Sequence, residues 1–301
     1  MKRGQFLLFL VLSISLSINA QRWNKFRYEA LGYLGVTNFL GDLGGADQIG
    51  TNGLRDLELI LTRPSAALGV RYRIYERWST KAMISWGVIR GDDKLTNEFY
   101  RNNRQLHFRS HVWELSWQLE GHVSKEQTGH RYKIKGAKGW KNLELNIYGF
   151  AGLALMHFNP KAKYIDGRWY ALQPLGTEGQ GINPDADKYS RLTVTIPMGF
   201  GIKHLIGRFW SVGLEVGIRK TFTDYLDDVS TIYYTDSIRL YTNNDPIAVY
   251  FADPSQGQGP SPRSVVQGQQ RGDPKDRDAY MFIHLTVAYK LSYKKRTRSK
   301  F

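Results

Sequence analysis

The feature that most constrains the fold is the alternation of apolar and polar side chains between Ala66 and Val88. A period of two is that of a pleated strand with two different faces. The pattern breaks at Glu76 and Arg77 and resumes at Trp78, which gives two strands of about eleven residues. Strands in soluble domains usually have about five or six residues, whereas about 9 to 11 tilted residues are needed to cross a bilayer. The segment therefore predicts a membrane-spanning β-hairpin.

Six further segments alternate in the same way and bring the predicted number of strands to eight. They are Tyr28 to Val36, His107 to Val123, Leu143 to Leu155, Leu192 to Ile202, Trp210 to Ile218 and Met281 to Leu291. The connections after the first, third, fifth and seventh strands are long, and those after the second and sixth are very short. This order is typical of an outer-membrane barrel with long external loops and short periplasmic turns. The predicted fold is all-β, an eight-stranded antiparallel transmembrane β-barrel.

Two of the long connections carry more specific expectations. Leu54, Leu57 and Leu61 fall at helical spacing, so Asn52 to Leu61 is predicted to form a short helix. The stretch from Gln256 to Arg277 has few apolar residues, and we expect it to be a mobile loop tip. The low mean hydropathy of the whole chain argues against a helical membrane protein. It does not argue against a barrel, because the polar residues that face the lumen of a barrel lower its mean hydropathy.

The beginning of the chain predicts a cleaved signal peptide over residues 1–20. Lys2 and Arg3 precede an apolar run from Phe6 to Ile18, and the small residue Ala20 follows. A transmembrane helix would need about 20 apolar residues, more than this serine-containing run provides. The barrel is then expected over residues 21–293 and a basic periplasmic tail over 294–301. Loss of Lys2 and Arg3 lowers the formal net charge of +15 by two, to +13. The absence of cysteine is compatible with an oxidising envelope compartment.

If the apolar faces meet lipid, ten charged residues of opposite parity point into the lumen. They are Glu29, Arg71, Arg73, Lys81, Glu114, Glu120, Glu144, Glu215, Arg219 and Lys290. Buried charges persist when they are paired, and an eight-stranded barrel is just wide enough to be filled by side chains. An equal mixture of acids and bases therefore predicts a locked ionic core with no conducting pore.

No residue pattern predicts an enzyme, a cofactor or a metal site. His107 and His111 share a strand face, but no third ligand lies at a recognisable distance. Asp224, Asp227 and Asp228 lack the glycine and terminal glutamate of a calcium loop, so turn or capping roles are expected. The motifs of serine hydrolases and zinc proteases are missing from the sequence.

Both ends of the barrel chain are expected in the periplasm, where two basic segments would lie on the same side. They supply the candidate partner-binding residues Lys125, Arg131, Lys133, Lys135, Lys138 and Lys141 of one connection and Lys294, Lys295, Arg296, Arg298 and Lys300 of the tail. They could be solvated flanks of spanning strands. Alternatively, they could dock an acidic periplasmic partner or anionic lipid headgroups, since clustered charge speeds and orients association. Nucleic acid is not an expected partner in that compartment, whereas outer-membrane lipid and lipopolysaccharide are.

Several runs of sequence, in order, resemble the PorG-type outer-membrane barrel of the type IX secretion system. They are YEALGYLGVTNFLGDLGG at Tyr28 to Gly45, RPSAALGVRYRIYERW at Arg63 to Trp78, WGVIRGDD at Trp86 to Asp93, RQLHFRSHVWELSWQLE at Arg104 to Glu120 and RKTFTDYLDDVSTIYY at Arg219 to Tyr234. The resemblance covers most of the mature chain and is least over the loop after Asp245. It implies a non-enzymatic outer-membrane component that binds the periplasmic ring of this machine, formed by a lipoprotein and its partner. It carries over no site residues.

Two alternatives remain open at the level of sequence. One is a stand-alone structural or ligand-binding outer-membrane barrel. The other is a hydrolase of lipids or peptides at the rim, for which Asp92, Asp93 and His107 would be the nearest candidates.

Overall fold

The structure, a computed structural model, describes residues 26–43, 61–95, 99–123, 145–184, 186–206, 208–234, 236–243, 246–255 and 269–291. Its strands are β1 (Tyr28–Leu40), β2 (Arg63–Arg73), β3 (Trp78–Asp92), β4 (His107–His122), β5 (Leu145–His157), β6 (Pro160–Lys163), β7 (Trp169–Ala171), β8 (Leu192–Ile206), β9 (Trp210–Thr221) and β10 (Ala279–Leu291). Its α-helices are α1 (Phe99–Arg104), α2 (Ser237–Asn243) and α3 (Pro246–Ala252), with 3₁₀ turns at Asp93–Leu95 and Gln173–Leu175. None of the helices in the described ranges is long and apolar enough to cross a membrane.

Eight of the strands close into an antiparallel barrel. Their order is β1, β2, β3, β4, β5, β8, β9 and β10, and β10 pairs back with β1. Closure leaves none of these eight strands with an unpaired edge. The predicted eight-stranded antiparallel barrel is confirmed.

The two faces of each barrel strand differ as the alternation predicts. On β4, Leu115 and Trp117 are 58% and 70% exposed, whereas Ser116 between them and Gln118 beyond them are buried in the lumen. An apolar outer face around a polar, charged interior is the arrangement of a transmembrane barrel.

The short connections lie at the same end as the beginning of β1 and the end of β10, and we call this the terminal end. One of them, residues 74–77, joins β2 to β3, and the backbone N–H groups of Ile74 and Tyr75 donate to the carbonyl of Trp78 at 2.9 and 3.1 Å. The opposite loop end carries the long connections after β1, β3, β5 and β9.

The strands extend further towards the loop end than the sequence predicts. The predicted end of the first strand at Val36 is wrong, since Asn38, Phe39 and Leu40 continue β1 and pair with Met281, Tyr280 and Ala279 of β10. From Thr37 to Leu40 every side chain is buried, so both faces of β1 are covered there.

The long connections contain secondary structure that the alternation did not predict. Between β5 and β8, strands β6 and β7 form a hairpin that continues the sheet from β4. The polar segment between β3 and β4 contains a 3₁₀ turn and α1. The expectation of a mobile tip from Gln256 to Arg277 is wrong for Arg271, which is buried and ion-paired. The predicted signal peptide, the basic tail and nearly all of the predicted helix at Asn52 to Leu61 lie outside the described residues.

Candidate functional site

The lumen near the terminal end is filled by ion pairs that begin at Glu29 of β1. Glu29 faces Arg71 of β2 and Lys290 of β10 in the strand register. Arg71 Nη1 donates to Glu29 Oε2 at 2.7 Å. The same guanidinium reaches Glu120 of β4, with Nε 2.5 Å from Oε2 and Nη2 3.0 Å from Oε1. Arg71 therefore links two carboxylates on non-adjacent strands.

Lys81 of β3 continues this network across the barrel. Its Nζ lies 3.2 Å from Glu120 Oε1 and 2.7 Å from Glu215 Oε2 on β9. The hydroxyl of Tyr148 donates to the same Glu215 oxygen at 2.9 Å. Since β3 and β9 lie on different sides of the barrel, these contacts connect its walls through the interior.

Two more bases contact Glu29. Arg73 Nη2 lies 3.3 Å from Glu29 Oε1, and Lys203 Nζ of β8 lies 4.0 Å from Oε2. Lys203 was missing from the predicted lumenal set, although its place next to outward-facing Ile202 indicates an inward side chain. We call the set Glu29, Arg71, Arg73, Lys81, Glu120, Lys203 and Glu215 the lumenal network.

A separate charged pair lies closer to the loop end. Arg219 Nε of β9 is 3.7 Å from Glu114 Oε2 of β4, and the Tyr280 hydroxyl donates to that oxygen at 2.5 Å. The Arg219 guanidinium also lies over the ring of Phe282, 4.5 Å from its centroid. Each lumenal residue predicted from sequence and present in the structure is at most 3% exposed. Glu144 lies outside the described residues.

Apolar side chains fill the barrel above this pair. Phe39, Phe108 and Phe282 from the strands pack with Leu226 and Phe251 from the connection after β9, and all of them are at most 4% exposed. The connections of the loop end thus form a folded cap over the barrel. We use the word cap for the described residues of these connections.

Two buried arginines join the segments of the cap. The Arg104 guanidinium at the end of α1 is ion-paired with Asp93 and donates to the carbonyls of Arg271 and Asp42, each at 2.7 Å. These contacts bring together the connections after β1, β3 and β9.

Arg271 brings in the connection after β5. Its Nη1 lies 2.9 Å from Glu178 Oε1 and donates to the Asp228 carbonyl at 2.6 Å. Glu178 also accepts hydrogen bonds from the backbone N–H groups of Ser230 and Thr231 at 3.0 and 3.1 Å. A single carboxylate and a single guanidinium therefore fix three backbone segments against one another.

A group of buried aspartates supports the cap. Asp227 Oδ2 accepts from the backbone N–H of Leu43 at 3.1 Å, and Asp278 Oδ2 from that of Leu226 at 2.9 Å. Burial, together with the charges of neighbouring aspartates, raises the pKa of Asp227 and of Asp278 well above its usual value. Burial raises the pKa of Asp228 to about 6 even though Arg271 opposes the shift, and it raises that of Asp224 to about 8.

The structure gives these aspartates local structural contacts. Asp227 Oδ1 accepts from the backbone N–H of Val229 at 3.0 Å, a turn contact. Asp228 accepts from the hydroxyls of Thr177 and Tyr189 at 2.5 and 2.6 Å. Among the described residues, no group of three or more histidines or acids is arranged to hold a metal ion.

The histidines and acids considered for chemistry at the rim are engaged in separate contacts. His107 Nε2 accepts from the backbone N–H of Lys163 at 3.0 Å, and His111 stacks on Trp86. Asp92 pairs with Arg90 at 2.8 Å, whereas Asp93 is buried against Arg104. Asp92 and His107 face each other in the register of β3 and β4, but Asp93 is separated from them by its burial in the cap.

Comparison with known proteins gives similarity in solved structures only. No family model and no curated protein matches the chain. Neisserial surface protein A is 6% identical, with a TM-score of 0.38, and covers 88% of this chain and 96% of its own. OprG from Pseudomonas aeruginosa is 9% identical, with a TM-score of 0.37, over 89% of this chain and 98% of its own. Ail, the attachment invasion locus protein of Yersinia pestis, is 9% identical, with a TM-score of 0.36, over 89% and 99%. The barrel assignment itself rests on the closed strand order.

Proposed function

We propose that this chain is a non-enzymatic integral component of the outer membrane that anchors a periplasmic assembly, the lipoprotein ring of the type IX secretion system. The observation that carries the proposal is the filled interior: the lumenal network crosses the barrel, and the cap covers its loop end. A barrel filled in this way offers its outer surfaces for function, so a role in attachment is favoured over passage of solute or cargo through the lumen. The ordered resemblance of five sequence runs to the PorG-type barrel supports this choice of partner.

The topology supports a role for the two basic segments. β4 ends at His122, β5 begins at Leu145, and β10 ends at Leu291, all at the terminal end. The connection 124–144 and the tail 292–301 therefore leave the barrel at the same end. Because β10 and β4 are four strands apart in the closed order, the segments leave from opposite sides of the rim. Together they would present positive charge to one partner on the periplasmic side of the barrel.

Site-specific crosslinking in intact envelopes tests this proposal. A photoreactive residue at Lys133 or Arg296 is expected to attach to the ring-forming lipoprotein or its partner, whereas one at the exposed Arg168 of the β6–β7 turn is not. Reversal of charge at the basic residues of both segments is expected to remove this attachment and to lower the secretion of many cargo proteins. Unchanged attachment and secretion after charge reversal would refute the proposal.

The folded cap favours a second candidate, a stand-alone structural or ligand-binding barrel that uses its loop end. Deletion of the chain separates the two functions. Loss of secretion of many cargo proteins supports the anchor, whereas loss of adhesion with normal secretion supports the stand-alone barrel. Hydrolysis of a panel of lipids or peptides by the purified protein would instead indicate a rim enzyme.

A further inference from the structure

Three basic side chains stand next to one another on the outer face of the sheet near the loop end. Arg90 of β3 faces Arg109 of β4, and Arg109 faces Lys161 of β6. Neighbouring strands lie about 4.8 Å apart, and like charges placed directly opposite each other destabilise a sheet. This basic row therefore costs stability unless an anion lies against it.

The local contacts hold the row in place and neutralise only one of its three positive charges. Arg90 is ion-paired with Asp92 at 2.8 Å, and the Arg109 guanidinium lies over the Trp169 ring, 4.1 Å from its centroid. A groove of 580 Å³ runs beside the row, and its lining includes Arg90, Asp92, Lys94, Lys163, Trp169 and Tyr250. Among the described residues of that lining, Asp92 is the only acid, against the three bases Arg90, Lys94 and Lys163, so this part of the groove is basic.

The outer face next to the row is apolar in the direction of the terminal end. Trp86 of β3 and Trp113 of β4 face each other four residues along the strands from the Arg90 and Arg109 pair, with Val88 and His111 between them on the same face. Ile84 and Leu115 follow, again directly opposite each other, and are 57% and 58% exposed. Basic side chains at the edge of an apolar belt match a molecule with anionic groups at one end and hydrocarbon at the other.

We propose that Arg90, Arg109 and Lys161 bind the phosphate groups of a phosphorylated lipid in the membrane leaflet at the loop end. The acyl chains lie along the belt that contains Trp113 and Leu115, and the aromatic groove beside Trp169 accommodates part of the headgroup. A lipid is favoured over a soluble anion because the row and the apolar belt are continuous on one face. The proposal does not depend on the ring partner, since this surface lies at the other end of the barrel.

Native mass spectrometry of the full chain in detergent micelles tests the proposal with lipid A that carries two phosphates. The variant combines Arg90→Gln, Arg109→Gln and Lys161→Gln. Lys220→Gln is the matched control, because Lys220 also faces outwards at the loop end but has Ile196 and Ala279 as its register neighbours. The triple variant is expected to weaken lipid binding by about tenfold or more, while the control binds as the unaltered chain does.

Two further measurements are needed. One separates loss of the binding site from a disturbed fold, and the other separates binding of a lipid from binding of a small anion. The double variant Arg90→Lys with Arg109→Lys keeps the positive charges and is expected to retain most of the binding. Retained binding would show that the triple variant binds weakly because it has lost charge, and not because its strand pairing is disturbed. Dephosphorylated lipid A is expected to bind as weakly to the unaltered chain as to the triple variant, and millimolar inorganic phosphate is expected not to displace the lipid. Equal binding of the two lipids, an unaffected triple variant or ready displacement by inorganic phosphate would overturn the proposal.

Discussion

Glu29 and Arg71 face each other across β1 and β2, and their side chains form a 2.7 Å ion pair inside the barrel. Arg71 also binds Glu120, so its removal would leave two buried carboxylates with fewer partners. Breaking a buried pair by deleting one partner typically costs about 3 to 5 kcal/mol. Arg71→Leu is therefore expected to lower the free energy of unfolding by about this amount, measured by urea unfolding in detergent or lipid vesicles.

A control for Arg71→Leu is available on the surface. Arg168→Leu removes the same type of side chain from an exposed turn and is expected to change stability by less than about 0.5 kcal/mol. Equal effects of the two substitutions would show that the lumenal network does not hold the barrel together.

The second prediction concerns conduction through the lumen. The contacts of Lys81 with Glu120 and Glu215 connect β3, β4 and β9 through the interior, and the apolar side chains around Phe108 fill the loop end. We expect the purified protein to give no large, steady single-channel currents in planar bilayers. Such currents, recorded reproducibly from pure protein, would contradict a filled lumen.

The third prediction concerns the arginine that joins the cap. Arg271→Met keeps much of the side-chain volume but leaves Glu178 without its guanidinium, and an unpaired buried charge is destabilising. We expect faster amide hydrogen exchange at Ser230 and Thr231, whose N–H groups bind Glu178, with little change in the barrel strands. Arg239→Met removes an exposed ion pair on α2 and serves as the control, for which exchange at these amides is expected to stay the same.

The alternation of side chains predicted the barrel because the lumen and the lipid demand opposite residue types at successive positions. The same logic places Lys203 inside, next to outward-facing Ile202. The alternation stops carrying information where the cap begins, since both faces of β1 are buried from Thr37 to Leu40. There, a strand no longer has one face in lipid, and its end cannot be found from a period of two.

The contacts of the cap were not predictable for a different reason. Arg271 and Glu178 are 93 residues apart in the chain, and neither lies in a periodic segment. Buried pairs of this kind depend on how four connections meet in space, which hydrophobic patterning does not encode. The low apolar content of the segment around Arg271 instead suggested a mobile tip.

The last prediction is that the cap loses stability as the pH rises. The pKa of Asp228 is about 6 and that of Asp224 about 8 in the folded protein, against a usual value of about 3.9 in an unfolded chain. Because the folded state binds protons more tightly, this contribution to stability is fully present below pH of about 4 and is lost as the pH rises through about 6 to 8. Hydrogen exchange at the amides of residues 224–231, corrected for intrinsic rates, should show protection falling between pH 5 and pH 9. Asp224→Asn with Asp228→Asn removes these two titrating groups and should weaken the dependence, to which Asp227 and Asp278, whose pKa values are also raised, still contribute. Protection that rises over this range in the unaltered chain would mean that the ionised aspartates stabilise the cap.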